Sequence, residues 1–325
     1  MANKKQETSI VNKIFIYSLL ILLSVYVISM IFTLGWGLLT SFKHRNEFTF
    51  NNNWLGLPTL TTDKTVALFN SRKEVFELAN FKRIIDDYHF VEEGCKTEFF
   101  GPDGKVVRHV AKGGFPMVMV NTFVYTVVGS FLHAFVPAVT AYAVTKFKNP
   151  VGTIMTGAAL FAMTTPIVGS QPSMLSMLRG LGIYDTFWGY LLQKATFGGM
   201  YFFVFSAFYE SMPDSFSEAA EIDGASYFNI LITIIIPLSM KMISTVLLIQ
   251  FIHGWNDYQT AYLYMPSHPT IAYAVWFLTT NNAIGNGSMV IRVAASMLLA
   301  TPILIAFIIL KDKLMGNLSM GGLKG

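Results

Sequence analysis

Glu218, Glu221 and Asp223 fall within six residues of one another between long apolar runs, and Gly224 follows at once. Carboxylates crowded on a short helix suit docking against a basic or polar partner surface. A second polar set, Gln250, His253 and Asp257, recurs at i, i+3 and i+7, which is one face of a helix. An amide and an imidazole on that face can bond the hydroxyls of a solute, and Asn256 adds a further amide. The same residues can instead tie helices together by hydrogen bonds. No catalytic residue is assigned. The six histidines show no ligand spacing such as H-x3-H, so no metal site is expected. Cys95 is the only cysteine, which excludes an intrachain disulfide and a thiolate cluster. A Gly-x4-Gly-Lys-Ser/Thr loop for nucleotide phosphates is also missing. Gly94-Cys95-Lys96-Thr97 imitates its end, but with a residue between glycine and lysine. The chain is expected to bind no cofactor of its own.

The elements that carry these residues are set by composition. Of 325 residues, 53% are hydrophobic and 13% charged, whereas soluble domains carry about 25% charged residues. A formal net charge of +4 is too thin for a nucleic-acid footprint. Apolar segments run from Ile14 to Leu39, Met117 to Val144, Gly152 to Val168, Ala195 to Phe208, Leu238 to Tyr262 and Met289 to Leu310. Crossing a bilayer core takes about 20 helical residues, so six spans are expected, the fourth short. Phe187 to Leu192 suits the interface, and Trp188 and Trp276 suit the aromatic belt. The first run is too long for a signal peptide's apolar region and reads as a retained anchor. Lys4, Lys5, Lys13, Lys146, Lys148, Lys311, Lys313 and Lys324 all fall on one side of this layout. Both termini are therefore expected in the cytoplasm, with the acids around Glu218 on the same side. Lys43, His44 and Arg45 oppose that bias without reversing it.

Between the fourth and fifth spans, Ser215-Phe216-Ser217-Glu218 matches the S-x-x-E capping box of a helix start. Glu218 lies in the first turn, where the helix dipole favours an anion. Ala219 and Ala220 keep one face low, Gly224 permits a turn, and a second helix is expected to reach Ile236, with Pro237 opening the fifth span. The expected product is an L-shaped, two-helix projection spanning 213–237.

Glu218-Ala219-Ala220, Gly224, Ile234 and Pro237 reproduce the spacing E-A-A-x3-G-x9-I-x-L-P, with Ile236 where leucine is usual. This resembles the EAA loop of membrane subunits of binding-protein-dependent ABC importers. Asn121-Thr122, Ala141-Tyr142, Pro166, Trp255-Asn256 and Gly322-Leu323-Lys324-Gly325 are similar to the carbohydrate-import permeases, including the maltose importer's smaller permease. The resemblance implies a type I importer permease: an all-α polytopic protein of the bacterial or archaeal cytoplasmic membrane with six transmembrane helices. It implies a heteromeric complex with a second permease subunit, two ATPase subunits that use ATP and Mg, an extracytoplasmic solute-binding protein and a sugar or oligosaccharide substrate. By carry-over, Glu218, Ala219, Ala220, Asp223, Gly224 and Pro237 are the ATPase-coupling residues. Gln250, His253, Asn256 and Asp257 are then candidates for the solute pathway. A permease for a non-sugar solute, or a self-contained secondary transporter, is the alternative; the near absence of acids within the spans argues against the latter.

The expected organisation is a cytoplasmic N-terminus over 1–13, a first helix over 14–40, an extracytoplasmic insertion over 41–116, a transmembrane core over 117–310 and a cytoplasmic tail over 311–325. Within the insertion, Glu74 to Asp86 reads as an amphipathic helix. Phe99 and Phe100 precede a Gly-Pro-Asp-Gly turn and form a hairpin with Lys105 to Val107. The insertion is either a docking surface for the binding protein or a cap without a partner. Phe99 and Phe100 are candidate contacts, as are Asn282 and Asn286 in the loop expected from Pro266 to Ser288.

Overall fold

The computed structural model describes residues 10–44, 47–48, 54–58, 77–86, 96–100, 106–110, 114–147, 150–165, 169–280 and 289–318. Pro166, Asn282, Asn286 and Gly322 lie outside the described residues, as does Glu74. Two compact units form, Met1–Ile85 with Asn282–Leu298, and Asp86–Asn281 with Leu299–Gly325.

In the first unit, helix α1 (Ile10–Ser41) is apolar on every side, and none of its most apolar 18-residue window is buried in the chain. Such a helix has lipid or another subunit for its solvent. Its C-terminal end is held by Asn80, on the short helix α2 (Ala79–Asp86), whose Nδ2 donates to the carbonyls of Ser41 and Lys43, both at 2.9 Å. The amphipathic helix thus starts later than expected. Glu77 precedes it outside the helix, and its N–H donates to the Phe42 carbonyl at 2.8 Å. Lys43 is fully buried, with its Nζ 3.1 Å from the Trp54 carbonyl and the Glu47 carboxylate nearby.

The second unit begins with the expected hairpin, β1 (Lys96–Phe100) antiparallel to β2 (Val106–Val110), with Phe100 paired to Val106. Its two strands qualify the all-α expectation. Helix α3 (Gly114–Lys146) is the axis of this unit and packs along α7 (Met200–Glu210) and α9 (Tyr227–Trp255). Ala134, Ala138 and Ala141 let the helices approach, and Tyr142, Phe202, Phe205, Tyr209, Ile230, Ile235, Ile243 and Val246 fill the seam. Lipid is as apolar as these side chains, so close packing rather than water exclusion holds the seam. Between these helices lie α4 (Pro150–Thr164), α5 (Ser170–Gly180) and α6 (Phe187–Lys194), and α8 (Ser215–Ile222) separates α7 from α9. Helices α10 (Tyr258–Tyr264) and α11 (Ile271–Thr280) follow, and α12 (Met289–Leu318) is divided, with Met289–Leu298 in the first unit and the remainder in the second.

Among the described residues, four helices are long and apolar enough to cross a membrane: Asn12–Ser41, Gly114–Lys146, Tyr227–Trp255 and Met289–Ile309. The expected third and fourth spans are shorter. Helix α4 has 15 residues and α7 has 11, reaching about 22 Å and 16 Å at 1.5 Å per residue.

The fifth span differs at both ends from the expected Leu238 to Tyr262. It starts at Tyr227 and runs without a break through a π-helical turn at Leu231–Ile235. Pro237 has no N–H to give, and its ring crowds the carbonyl four residues back; the wider turn before it absorbs both defects. The span stops at Trp255, because Asp257 is extended and caps α10 by accepting from the Thr260 N–H at 2.9 Å. The expected loop from Pro266 is also part helix. Thr122 of α3 accepts from the Ile271 N–H at 2.8 Å, and Asn121 donates to the Pro269 carbonyl at 3.2 Å. These bonds fix the start of the buried helix α11.

Candidate functional site

The first candidate site is the projection between α7 and α9. Helix α8 has no buried residue; Glu218, Ala219, Glu221 and Asp223 are exposed, and Ala220 alone packs on the core. Its end is a Schellman turn: the Ala225 N–H donates to the Ala220 carbonyl at 2.9 Å and the Gly224 N–H to the Glu221 carbonyl at 3.0 Å. Gly224 sits at φ +82°, in the left-handed region that favours glycine. Ser226 then caps the second limb, accepting from the Asn229 N–H. The L-shape expected from the sequence is present.

The capping box is not made. Asp214 occupies the N-cap, its carbonyl accepts from the Ser217 and Glu218 N–H groups, and Ser215 lies inside the helix. Sequence reasoning also missed two exposed apolar side chains. Ile222 on α8 is 86% exposed, and Phe228, in the first turn of α9, is 72% exposed. Beside α8 lies a hollow of about 540 Å³ that gathers the carboxylates of Glu210, Asp214, Glu218 and Glu221.

The second candidate site is a polar cleft of about 280 Å³. Gln250 and His253 enter from α9, and Asp257 joins them from beyond its end. Gly129, Ser130 and His133 come from α3, and Tyr190 and Lys194 from α6. Lys194 Nζ meets Asp257 Oδ2 at 3.0 Å, and the Thr260 hydroxyl and N–H also donate to that carboxylate. Burial pushes the Asp257 carboxyl up, but Lys194 and these bonds outweigh it and leave it below the usual carboxylate value. His133 Nδ1 lies 3.3 Å from the Thr196 hydroxyl, and the Tyr190 hydroxyl donates to the Tyr125 carbonyl. Asn256 does not join the cleft. It is exposed, and its amide donates back to Ile252 at 2.9 Å. Three of the four expected pathway residues therefore converge. The strand positions of Phe99 and Phe100 are described, their side chains are not.

Four described helices long and apolar enough to cross a membrane, a polar cleft among the helices of the second unit and an exposed acidic projection define the class: a polytopic helical membrane protein. The chain belongs to the family of binding-protein-dependent transport system inner membrane components, whose model matches residues 134–319. The trehalose transport system permease protein SugB of Mycobacterium tuberculosis is 24% identical over 235 residues, covering 69% of this chain and 86% of that protein. The melibiose/raffinose/stachyose import permease protein MelC of Bacillus subtilis is 25% identical over 212 residues, covering 63% and 75%. A crystal structure of a bacterial ABC transporter involved in the import of the acidic polysaccharide alginate shares the fold. It has a TM-score of 0.67 at 20% identity, covering 94% of this chain and 98% of the other.

Proposed function

We propose that this chain is the non-catalytic permease subunit of an ATP-driven importer and lines half of the path for a sugar or oligosaccharide. The observation that carries the reading is the projection: an acidic helix without a buried residue, with Ile222 exposed, turned by Gly224 into a second limb that enters a long apolar helix. SugB and MelC, named for sugar transport, support the solute class. In this reading six helices cross the cytoplasmic membrane, with both termini and the projection in the cytoplasm. A second permease completes the path, two ATPase subunits spend ATP and Mg, and an extracytoplasmic binding protein delivers the solute. Residues 41–116 and the segment around Asn282 and Asn286 face that protein. Gln250, His253 and Asp257 line the solute path.

The test is Glu218→Lys in the reconstituted complex. Charge reversal on the docking helix should leave the chain inserted while binding-protein-stimulated ATP hydrolysis and uptake collapse. Full stimulation and uptake with the ATPase still bound would refute the coupling role.

A further inference from the structure

Helix α8 is a rod of eight residues between two turns, Ser211 to Asp214 on one side and Gly224 to Ser226 on the other. A push on such a rod reaches the rest of the molecule through the chain into α7 and α9, and directly where something clamps it. The clamp comes from the last turns of α3. Lys146 Nζ donates to the Met212 carbonyl at 3.0 Å and meets Asp214 Oδ1 at 2.5 Å, and Tyr142 and Ser217 line the hollow beside them. Phe147, just past the helix, packs its ring edge-on against Tyr227 of the second limb.

Lys146 is more than one half of a surface ion pair. Its side chain is 14% exposed against 70% for Asp214, and one of its acceptors is a carbonyl in the exit from α7. Asp214, for its part, holds the N-cap position yet gives its own helix no side-chain cap. Its carboxylate faces Lys146 instead. The opposite stretch of α3 carries Gly129, Ser130 and His133 in the cleft. Lys146 and His133 stand 13 positions apart, about 20 Å along one helix.

We propose that Lys146 is the joint through which movement of the projection is passed to α3, and so to the polar cleft. It is a positioning residue, and the inference rests on the coupling role proposed above. When the ATPase subunits move α8, the Lys146 bonds make the end of α3 follow. Without them, only the ring contact of Phe147 with Tyr227 and the packing of Ala220 still hold the projection to the end of α3, and α3 follows α8 less.

The whole transporter with its partner subunits, carrying Cys95→Ser and the reporter His133→Cys, allows a test that needs no identified solute. Alkylation of the reporter by a maleimide is timed without nucleotide and with Mg-ATP plus vanadate. The parent should change rate about fivefold or more, the lower end of ordinary coupling between sites. Lys146→Met should hold the change below about twofold while the ATPase subunits still copurify, because the apolar stem remains and only the bonds are lost. Lys146→Arg should restore the response, and Asp214→Asn should keep most of it, since that acceptor is largely solvated. An unaltered response in Lys146→Met overturns the inference, and so does loss of the ATPase subunits from that variant, which would make Lys146 part of the docking surface. Glu218→Lys run alongside separates the failures. If it too leaves the response intact, the coupling role of the projection falls; if only Lys146→Met is neutral, the joint alone does.

Discussion

Gly224 offers the sharpest test of the projection, because its geometry separates backbone strain from crowding. Its φ is +82°, and a Cβ built there meets nothing within 4 Å. Substitution should therefore act through the backbone. An L-residue held in the left-handed region pays about 1–2 kcal/mol, less for asparagine and more for a β-branched residue. At 1.4 kcal/mol per factor of ten, alanine should lower the population of the closed turn about 5- to 30-fold relative to the open alternatives. Stimulated ATP hydrolysis should then fall in the order Gly, Asn, Ala, Val, with copurification of the ATPase weakening in the same order. Gly224→Asp beside Gly224→Asn isolates the added charge, because the two side chains have one shape. Open space around the Cβ leaves no steric ground for a severe effect of aspartate, so any excess loss over asparagine is repulsion from the Glu218, Glu221 and Asp223 set. Valine matching glycine, or asparagine falling below alanine, would refute the assignment of the loss to backbone conformation.

Other sites give further expectations. Gly129→Ala would drive a Cβ into the Tyr190 hydroxyl, which bonds the Tyr125 carbonyl; about 1–3 kcal/mol should be lost in thermal unfolding, part of it recovered by adding Tyr190→Phe. Asp257→Ala leaves Lys194, 18% exposed, without its carboxylate; after allowance for that exposure about 1–3 kcal/mol should go, and a cycle with Lys194→Met should show the two changes to be non-additive. Because the Asp257 carboxyl is held below its ordinary value, the advantage of wild type over Asp257→Asn should be complete at neutral pH, begin to fade as pH drops below the ordinary carboxylate value and be lost once pH has fallen through the lowered one. Asn80→Ala frees two carbonyls at the end of α1, and about 1–3 kcal/mol of local stability should be lost, seen as faster proteolysis between residues 41 and 114. Replacing residues 51–114 by a short Gly/Ser linker should spare insertion and ATPase assembly but raise the binding-protein concentration for half-maximal stimulation; unchanged affinity would make the segment a passenger.

What the sequence made legible was local. Glu218-Ala219-Ala220 and Gly224 announce a short helix and a left-handed turn because both properties reside in the residues themselves. The capping box failed for a non-local reason. Ser215 and Glu218 have the right spacing, yet Asp214 stands one residue earlier as the N-cap, and its carboxylate meets Lys146, distant in sequence, instead of capping the helix. Helix α11 was hidden for a similar reason, since its first N–H is met by Thr122 of α3 rather than by a neighbour in sequence.

The cleft shows how a local pattern can succeed through a wrong intermediate. The spacing of Gln250, His253 and Asp257 places them on one face only if the helix continues past Trp255, and it does not. They still meet, because the break turns Asp257 back toward Lys194, which no periodicity around residue 250 could reveal. A signal for Lys194 was nevertheless present. It is the one cation between Tyr184 and Tyr209, in the stretch from which an interface helix and a span were expected. A charge so placed needs a partner, and a carboxylate at the end of another span is the natural one. Charges at the ends of apolar segments, matched against one another before any face is drawn, would have found the Lys194–Asp257 pair where helical periodicity found only Gln250 and His253.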